Sequence, residues 1–315
     1  MKQITLSDPL VLESGVSLEN VKVGYHTFGS LNEDKSNVVW VFHALTGNSN
    51  PLEWWPEIVG KGKILDTDRY FVVCANMLGS CYGSTEPEDF EFPLITIRDQ
   101  VKCFQQLLVH LEIKRVHIGI GGSMGGQQLL EWAVMKPKLF SHIIPIATNA
   151  VHSAWGIAFN ETQRMAIQND PNEGLATARA IAMLSYRHYQ TFENTQTDKD
   201  FRSDTFSASS YQEYQGKKLK DRFSTYSYHY LSKAMDSQNV GRQVKNTETA
   251  LSCIEAKTLV IGIDSDILFP TSEQQYLATH IPNATFAEIE STYGHDGFLV
   301  EHRQLSQLIK DFLEP

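Results

Sequence analysis

The chain is short of cysteine, of basic residues and of long apolar stretches, and each shortage narrows what it does. Its four cysteines, at 74, 81, 103 and 253, fall in strand-like, loop-like and helix-like contexts without metal-ligand spacing. They are expected to be reduced and mostly buried thiols of a cytoplasmic protein, with Cys81 a packing residue although it sits in a motif. No window approaches about 18 consecutive apolar residues, so no membrane-spanning helix is expected. The amino terminus, Met1-Lys-Gln-Ile-Thr-Leu-Ser-Asp8, lacks the continuous apolar segment of a secretory signal. Lys and Arg number 27 against 37 Asp and Glu, a formal charge of −10. That balance disfavours nucleic acid and anionic membrane as partners. There are no repeats, and 315 residues hold one large α/β domain with an insertion, or two small domains.

The chemistry is concentrated in residues 115 to 126. Val116, Ile118 and Ile120 are short-period apolar positions of a strand, Gly121-Gly122-Ser123-Met124-Gly125 fits G-x-S-x-G, and Gln127 to Met135 continues as a helix. A serine at a sharp strand-to-helix turn needs small neighbours, because a Cβ beside it would clash. The turn lifts Ser123 Oγ clear of the sheet and points the helix N-terminus at developing negative charge. Alone the pattern is weak, since a chain with 20 glycines has ordinary Gly-rich loops; the strand before and the helix after make it specific.

A nucleophilic serine needs a base and an orienting acid, here in the order Ser, Asp, His. The apolar strand Lys257 to Ile263 runs into Asp264-Ser-Asp266, and the strand Thr285 to Glu290 runs into Ser291-Thr-Tyr-Gly-His295-Asp296. Either aspartate has a bland alternative as a turn or helix cap, and His295 is one of 11 histidines. All three kinds of residue nevertheless fall at strand C-terminal ends, where open α/β sheets place their sites. One oxyanion donor is expected to be the Met124 backbone N–H.

Several ordered motifs carry a resemblance. His43-Ala-Leu-Thr-Gly47, Leu65 to Val73, Gly79-Ser-Cys-Tyr-Gly-Ser84, Phe92 to Gln100, Gly121 to Glu131, Ala158-Phe-Asn-Glu161, Asp266 to Pro270 and Gly294-His-Asp296 resemble the homoserine O-acetyltransferase family across nearly the whole chain. The resemblance implies an α/β-hydrolase fold, a mostly parallel central sheet with a helical lid insertion, and a catalytic set of Ser123, Asp266 and His295, choosing Asp266 over Asp264. It places the second oxyanion donor at Leu45 and matches Arg187 to a lid arginine that could clamp a carboxylate, against a surface arginine paired with a nearby acid; its amino-acid acceptor also makes Asp296, beside the histidine, a candidate to hold the ammonium, against a local turn contact. Tyr82 and Arg98 lie in its motifs without an assignable role.

It further implies acyl transfer by a ping-pong acyl-serine mechanism from acetyl-CoA, a substrate rather than a cofactor, to L-homoserine in methionine biosynthesis. A homodimer, with no metal, goes with it. Relatives of this fold also use succinyl-CoA, serine or an antibiotic precursor, and the same residues would serve a serine hydrolase or, with the chemistry idle, a binding scaffold. Two features depart from the family pattern: the segment Ser84 to Pro93 is short and acidic, and Ser80 replaces a common glycine.

Along the chain, strands are expected at Val21–Phe28, Asn37–His43, Tyr70–Ala75 and His142–Ala147. Ile97, Val101, Phe104, Leu108 and Leu111 mark one face of a helix capped by Thr96. From 149 to 249 no apolar β run occurs, but helical segments such as Gly174 to Tyr189 do. The expectation is a core of 1–148 and 250–315 with a helical lid of 149–249, its segment 195 to 215 the most mobile.

Overall fold

A computed structural model describes residues 1–200 and 204–314. Its strands are β1 (Lys2–Thr5), β2 (Leu10–Val11), β3 (Ser17–Leu18), β4 (Lys22–Phe28), β5 (Val38–Phe42), β6 (Phe71–Ala75), β7 (Val116–Gly122), β8 (Phe140–Ile146), β9 (Lys257–Ile263) and β10 (Ala284–Ile289). Eight of them form one sheet in the order β1-β4-β6-β5-β7-β8-β9-β10, and β2 pairs only with β3. Within the eight-stranded sheet β1–β4 and β4–β6 are antiparallel and the other pairs parallel, and β2–β3 is antiparallel. The central strands are mostly apolar because both faces are covered. In β5, Val38, Trp40 and Phe42 join one core layer while Val39 and Val41 join the other.

The helices are α1 (Pro51–Trp54), α2 (Ile97–His110), α3 (Met124–Met135), α4 (Ala154–Asn169), α5 (Gly174–Tyr186), α6 (Tyr189–Gln196), α7 (Ser207–Lys220), α8 (Thr225–Asp236), α9 (Thr247–Ser252), α10 (Thr271–His280), α11 (Gly297–Val300) and α12 (His302–Leu313). Thr96 caps α2 reciprocally: its side chain accepts from Asp99 N while the Asp99 carboxylate accepts from Thr96 N. Arg98, left without a role by its spacing, pairs at 2.5 Å with the wholly buried Glu131 of α3. It therefore ties two helices behind the sheet.

Sequence reading missed β1 and the β2–β3 hairpin, which are short and largely exposed. It also ran the α5 helix to Tyr189. The chain instead breaks at Arg187, which is extended (φ −111°, ψ 141°), before α6 begins. The helical segment departs and returns across a short antiparallel contact: His152 N donates to Gln238 O and Val240 N to Ala150 O, both within 3.0 Å. These two bonds join the chain on either side of residues 153–237, within the expected 149–249, and α9 packs on α10. The expected mobile stretch 195 to 215 includes residues 201–203, which lie outside the described residues; on either side of them α6 and α7 are helical.

The acidic stretch 84–93 props α8. Phe90 packs edge-on against Tyr226 and His229, and Tyr230 Oη donates to Phe90 O at 2.7 Å. All four cysteines are free; Cys74 and Cys103 are buried, Cys81 half-buried and Cys253 exposed, so fewer are buried than composition suggested. Among the described residues no helix is long and apolar enough to cross a membrane.

Candidate active site

Ser123 occupies the junction of β7 and α3 with φ 58° and ψ −127°. A non-glycine residue there costs roughly 1–3 kcal/mol, and its neighbours hold it in place. Ser123 N donates to Ile146 O at 3.0 Å, and Thr148 Oγ1 donates to Ser123 O at 2.8 Å. Close packing dictates the flanking glycines: a Cβ on Gly121 would stand 2.7 Å from the Gly125 backbone, and one on Gly125 would enter the Phe42 carbonyl. The same closeness seats the turn after β5 against the start of α3. That turn closes with Gly47 N donating to Ala44 O at 2.9 Å, with Leu45 inside it. Met124 is the first residue of α3, so its N–H is one of the helix's orphan donors. The two expected oxyanion residues thus belong to adjoining segments.

His43 immediately precedes this turn and is buried. Burial pushes its imidazole down to about 4, against the opposing bond to Ala44 O, so the ring is neutral at pH 7.

Asp266 and His295 meet above the ends of β9 and β10, with His295 Nδ1 2.6 Å from Asp266 Oδ2. A carboxylate only accepts, so Nδ1 carries the proton and Nε2 of the neutral ring is left as the acceptor. The other carboxylate oxygen accepts from Leu268 N and Phe269 N at 2.8 and 2.9 Å. Asp-x-Leu-Phe is therefore a local turn that orients its own acid. The histidine ring stacks on Phe269 at 5.0 Å, with Phe298 at 5.5 Å and Tyr186 at 5.7 Å.

Burial alone would lower its pKa. The charge and hydrogen bond of Asp266, helped by the charge of Asp296, outweigh that and raise it above the ordinary histidine value. Behind the acid, Glu273 accepts from Asn149 Nδ2 at 2.9 Å; burial, opposed by that bond and reinforced by Asp266, pushes it up to about 7.

Asp264 has a different job. It is exposed and accepts from Ser291 N at 2.9 Å, while Ser265 Oγ bridges Ser291 O and Gly294 N. These bonds lace the two strand-end loops together and hold His295 over Asp266. Ser123, Asp266 and His295 are only 5, 4 and 3 % exposed, so any substrate must pass the helices above them. Among the described residues no hydrogen bond joins Ser123 Oγ to His295; such bonds are often long in unliganded sites and tighten around substrate.

The two expected substrate contacts, Arg187 and Asp296, are found paired with each other. Arg187 Nε lies 3.0 Å from Asp296 Oδ2 without hydrogen-bond alignment, and the guanidinium also covers the Tyr293 ring. A second arginine, Arg179, is half-buried with its guanidinium 5.2 Å from the Tyr186 ring, and it has no carboxylate partner among the described residues. Sequence reasoning passed over it. The one available signal was its i, i+7 spacing from Tyr186, which puts both on one face of α5.

The inserted segment touches three of the loops around the site. Trp155 Nε1 donates to Ile267 O at 2.8 Å in the acid loop, Thr191 Oγ1 donates to Thr292 O in the histidine loop, and Arg222 Nη1 donates to Thr46 O at 2.8 Å in the turn holding Leu45.

This architecture has known counterparts. The α/β hydrolase fold model matches residues 37–302. The homoserine O-acetyltransferase of Cyclobacterium marinum is 47% identical over 325 residues, covering 97% of this chain and 93% of its own. The solved homoserine O-acetyltransferase from Staphylococcus aureus has a TM-score of 0.89 at 28% identity, covering 100% of this chain and 95% of its own. Esterase E22 is as similar in shape, with a TM-score of 0.90 at 25% identity and 99% of each chain covered. Shape alone therefore does not separate transfer from hydrolysis, whereas sequence kinship favours one branch: the chain belongs to the homoserine O-acetyltransferase family of the α/β-hydrolase fold.

Proposed function

We propose that this protein transfers an acetyl group from acetyl-CoA to the hydroxyl of L-homoserine through an acyl-Ser123 intermediate. The observation that carries the reading is the buried Asp266–His295 pair, its Nε2 left as acceptor, beneath an inserted segment that contacts three of the loops around the site. His295 Nε2 takes the Ser123 proton as Oγ attacks the thioester carbonyl. The tetrahedral oxyanion is received by the Leu45 and Met124 N–H groups, each lowering the barrier by roughly 2.7–4 kcal/mol in comparable enzymes. The carbon–sulfur bond breaks, CoA leaves with the proton from His295, and the acyl group stays on Ser123. Homoserine then gives its hydroxyl proton to His295 and attacks the acyl carbonyl, which regenerates Ser123. The inserted helices act as a lid, keeping water from the intermediate until the acceptor arrives. No cofactor takes part.

Homoserine brings an ammonium and a carboxylate. Asp296, next to His295, takes the ammonium through Oδ1 while its Oδ2 stays beside Arg187 Nε. For the carboxylate, Arg179 is favoured over Arg187, because Arg187 would have to give up Asp296 whereas Arg179 has no anion to release. Replacing arginine by lysine at a two-donor clamp is not conservative. Arg179→Lys is expected to lower kcat/KM for homoserine about ten- to a hundredfold, with acylation by donor alone unchanged. Arg187→Lys should do much less. The opposite ranking would return the clamp to Arg187, as its sequence position suggested.

The raised pKa of His295 has a direct kinetic consequence. The base works neutral, so acylation should fall as pH drops through a value above the ordinary histidine range. Asp296 is one of the charges raising it, so Asp296→Asn should move that acid limb to lower pH. The measurement is Ser123 acylation against pH without acceptor, which keeps the ammonium role of Asp296 out of the comparison. Superimposable profiles would show that Asp296 does not act on the base.

Acceptor-dependent thiol release tests the function itself. Crossing acetyl-CoA and succinyl-CoA with homoserine and serine should give the fastest release for acetyl-CoA with homoserine. Release that ignores every acceptor would identify a hydrolase, and release with serine or succinyl-CoA in the lead would reassign the substrates.

A further inference from the structure

Arg222 lies between α7 and α8 and makes the one side-chain hydrogen bond from the inserted segment onto the turn that carries Leu45, counted among the described residues. Its Nη1 donates to Thr46 O at 2.8 Å and to Tyr82 Oη at 2.8 Å, and Tyr82 Oη donates back to Arg222 O at 3.0 Å. The neighbouring Phe223 is buried and meets the Tyr82 ring at 5.7 Å. Tyr82 is itself anchored: Asn76 Nδ2 donates to its carbonyl, and Asn76 Oδ1 accepts from Ser49 N at 2.7 Å, just beyond the turn. Thr46 is the residue after Leu45, in a turn closed by a single backbone hydrogen bond. Leu45 N–H can serve an oxyanion only if that turn keeps its orientation.

We propose that Arg222, braced by Tyr82, is a positioning residue that sets the Leu45 N–H in the oxyanion hole, so that full acyl-transfer competence requires the inserted helices to be seated. The proposal rests on the acyl-serine reading above and gives Tyr82 a role that its sequence context left open. Both bonds leave one guanidinium nitrogen, whose two N–H groups lie in the fixed guanidinium plane and so hold Thr46 and Tyr82 in a set relation.

The test is the rate of Ser123 acylation without acceptor, measured with p-nitrophenyl acetate and separately with acetyl-CoA. A misplaced oxyanion donor acts on the transition state whichever leaving group departs. Arg222→Ala should therefore slow acylation by both donors, about ten- to a hundredfold, since misplacements near 1 Å have effects of that size. KM for acetyl-CoA should stay within about threefold, the signature of an interaction realised in the transition state. Arg222→Lys should recover part of the rate. Tyr82→Phe, which keeps the ring and the Thr46 bond, should cost several-fold and combine with Arg222→Ala less than additively, as partners in one network do. It also keeps the proposal testable if Arg222→Ala does not fold.

Unchanged acylation in both single variants would overturn the proposal. So would a raised KM for acetyl-CoA with p-nitrophenyl acetate unaffected, because Arg222 would then be binding the anionic donor. Neither donor-only assay involves homoserine, so failure of the acceptor assignment shows up separately, as wild-type acylation without homoserine-dependent turnover.

Discussion

Ser123→Ala is expected to abolish covalent acylation and to lower kcat by on the order of 10⁴ to 10⁶, as nucleophile removal does in serine enzymes. The side chain is small and only 5 % exposed, and its backbone hydrogen bonds to Ile146 and Thr148 do not involve Oγ. The fold should therefore survive. Intact-mass analysis after mixing with acetyl-CoA alone should show an acetyl adduct on the wild type and none on the variant. An adduct that persists in Ser123→Ala would move the nucleophile elsewhere.

Asp266→Asn should cost on the order of 10⁴ in kcat, by analogy with the same change in serine proteases. An asparagine oxygen can still accept from Leu268 N and Phe269 N, so the turn would keep its shape. Its amide would then face His295 Nδ1 with a donor, forcing the imidazole proton onto Nε2, where a base needs a lone pair. Asp264→Asn makes the contrast. The Asp264 carboxylate only accepts from Ser291 N, a bond that an amide oxygen can also accept, so little loss is expected. Steady-state rates of the two variants, with thermal melting as the folding control, decide between the aspartates; equal or reversed losses would mean that the observed pairing with His295 is not the working one.

The turns and strands that carry the candidate catalytic residues were legible because each is a local structure. Gly121 to Gly125 must be a tight turn, Asp266 to Phe269 caps itself, and the strands feeding both are mostly apolar. Their order along the chain then places Ser123, Asp266 and His295 beyond the carboxyl ends of β7, β9 and β10. What could not be read depends on contacts between distant segments. Arg187 and Asp296 are 109 positions apart, and their mutual pairing is visible only in three dimensions. Arg98 finds Glu131 across two helices, and Arg222 finds Thr46 at a separation of 176 residues. The pairing of 150–152 with 238–240 is likewise a contact between distant segments. Short exposed strands such as β1 escaped because they bury no apolar face that a pattern could reveal.

The central claim is that an acyl-serine forms here and is kept for an amino acid rather than for water. Its most direct test is a chase. The acetyl-enzyme is made with acetyl-CoA, freed of excess donor, and divided between buffer and homoserine, with the adduct followed by intact mass. The expected result is an adduct that persists in buffer and is discharged rapidly and stoichiometrically to O-acetylhomoserine when homoserine is added. Equal decay in both, with acetate as the product, would contradict the account and identify the protein as a hydrolase.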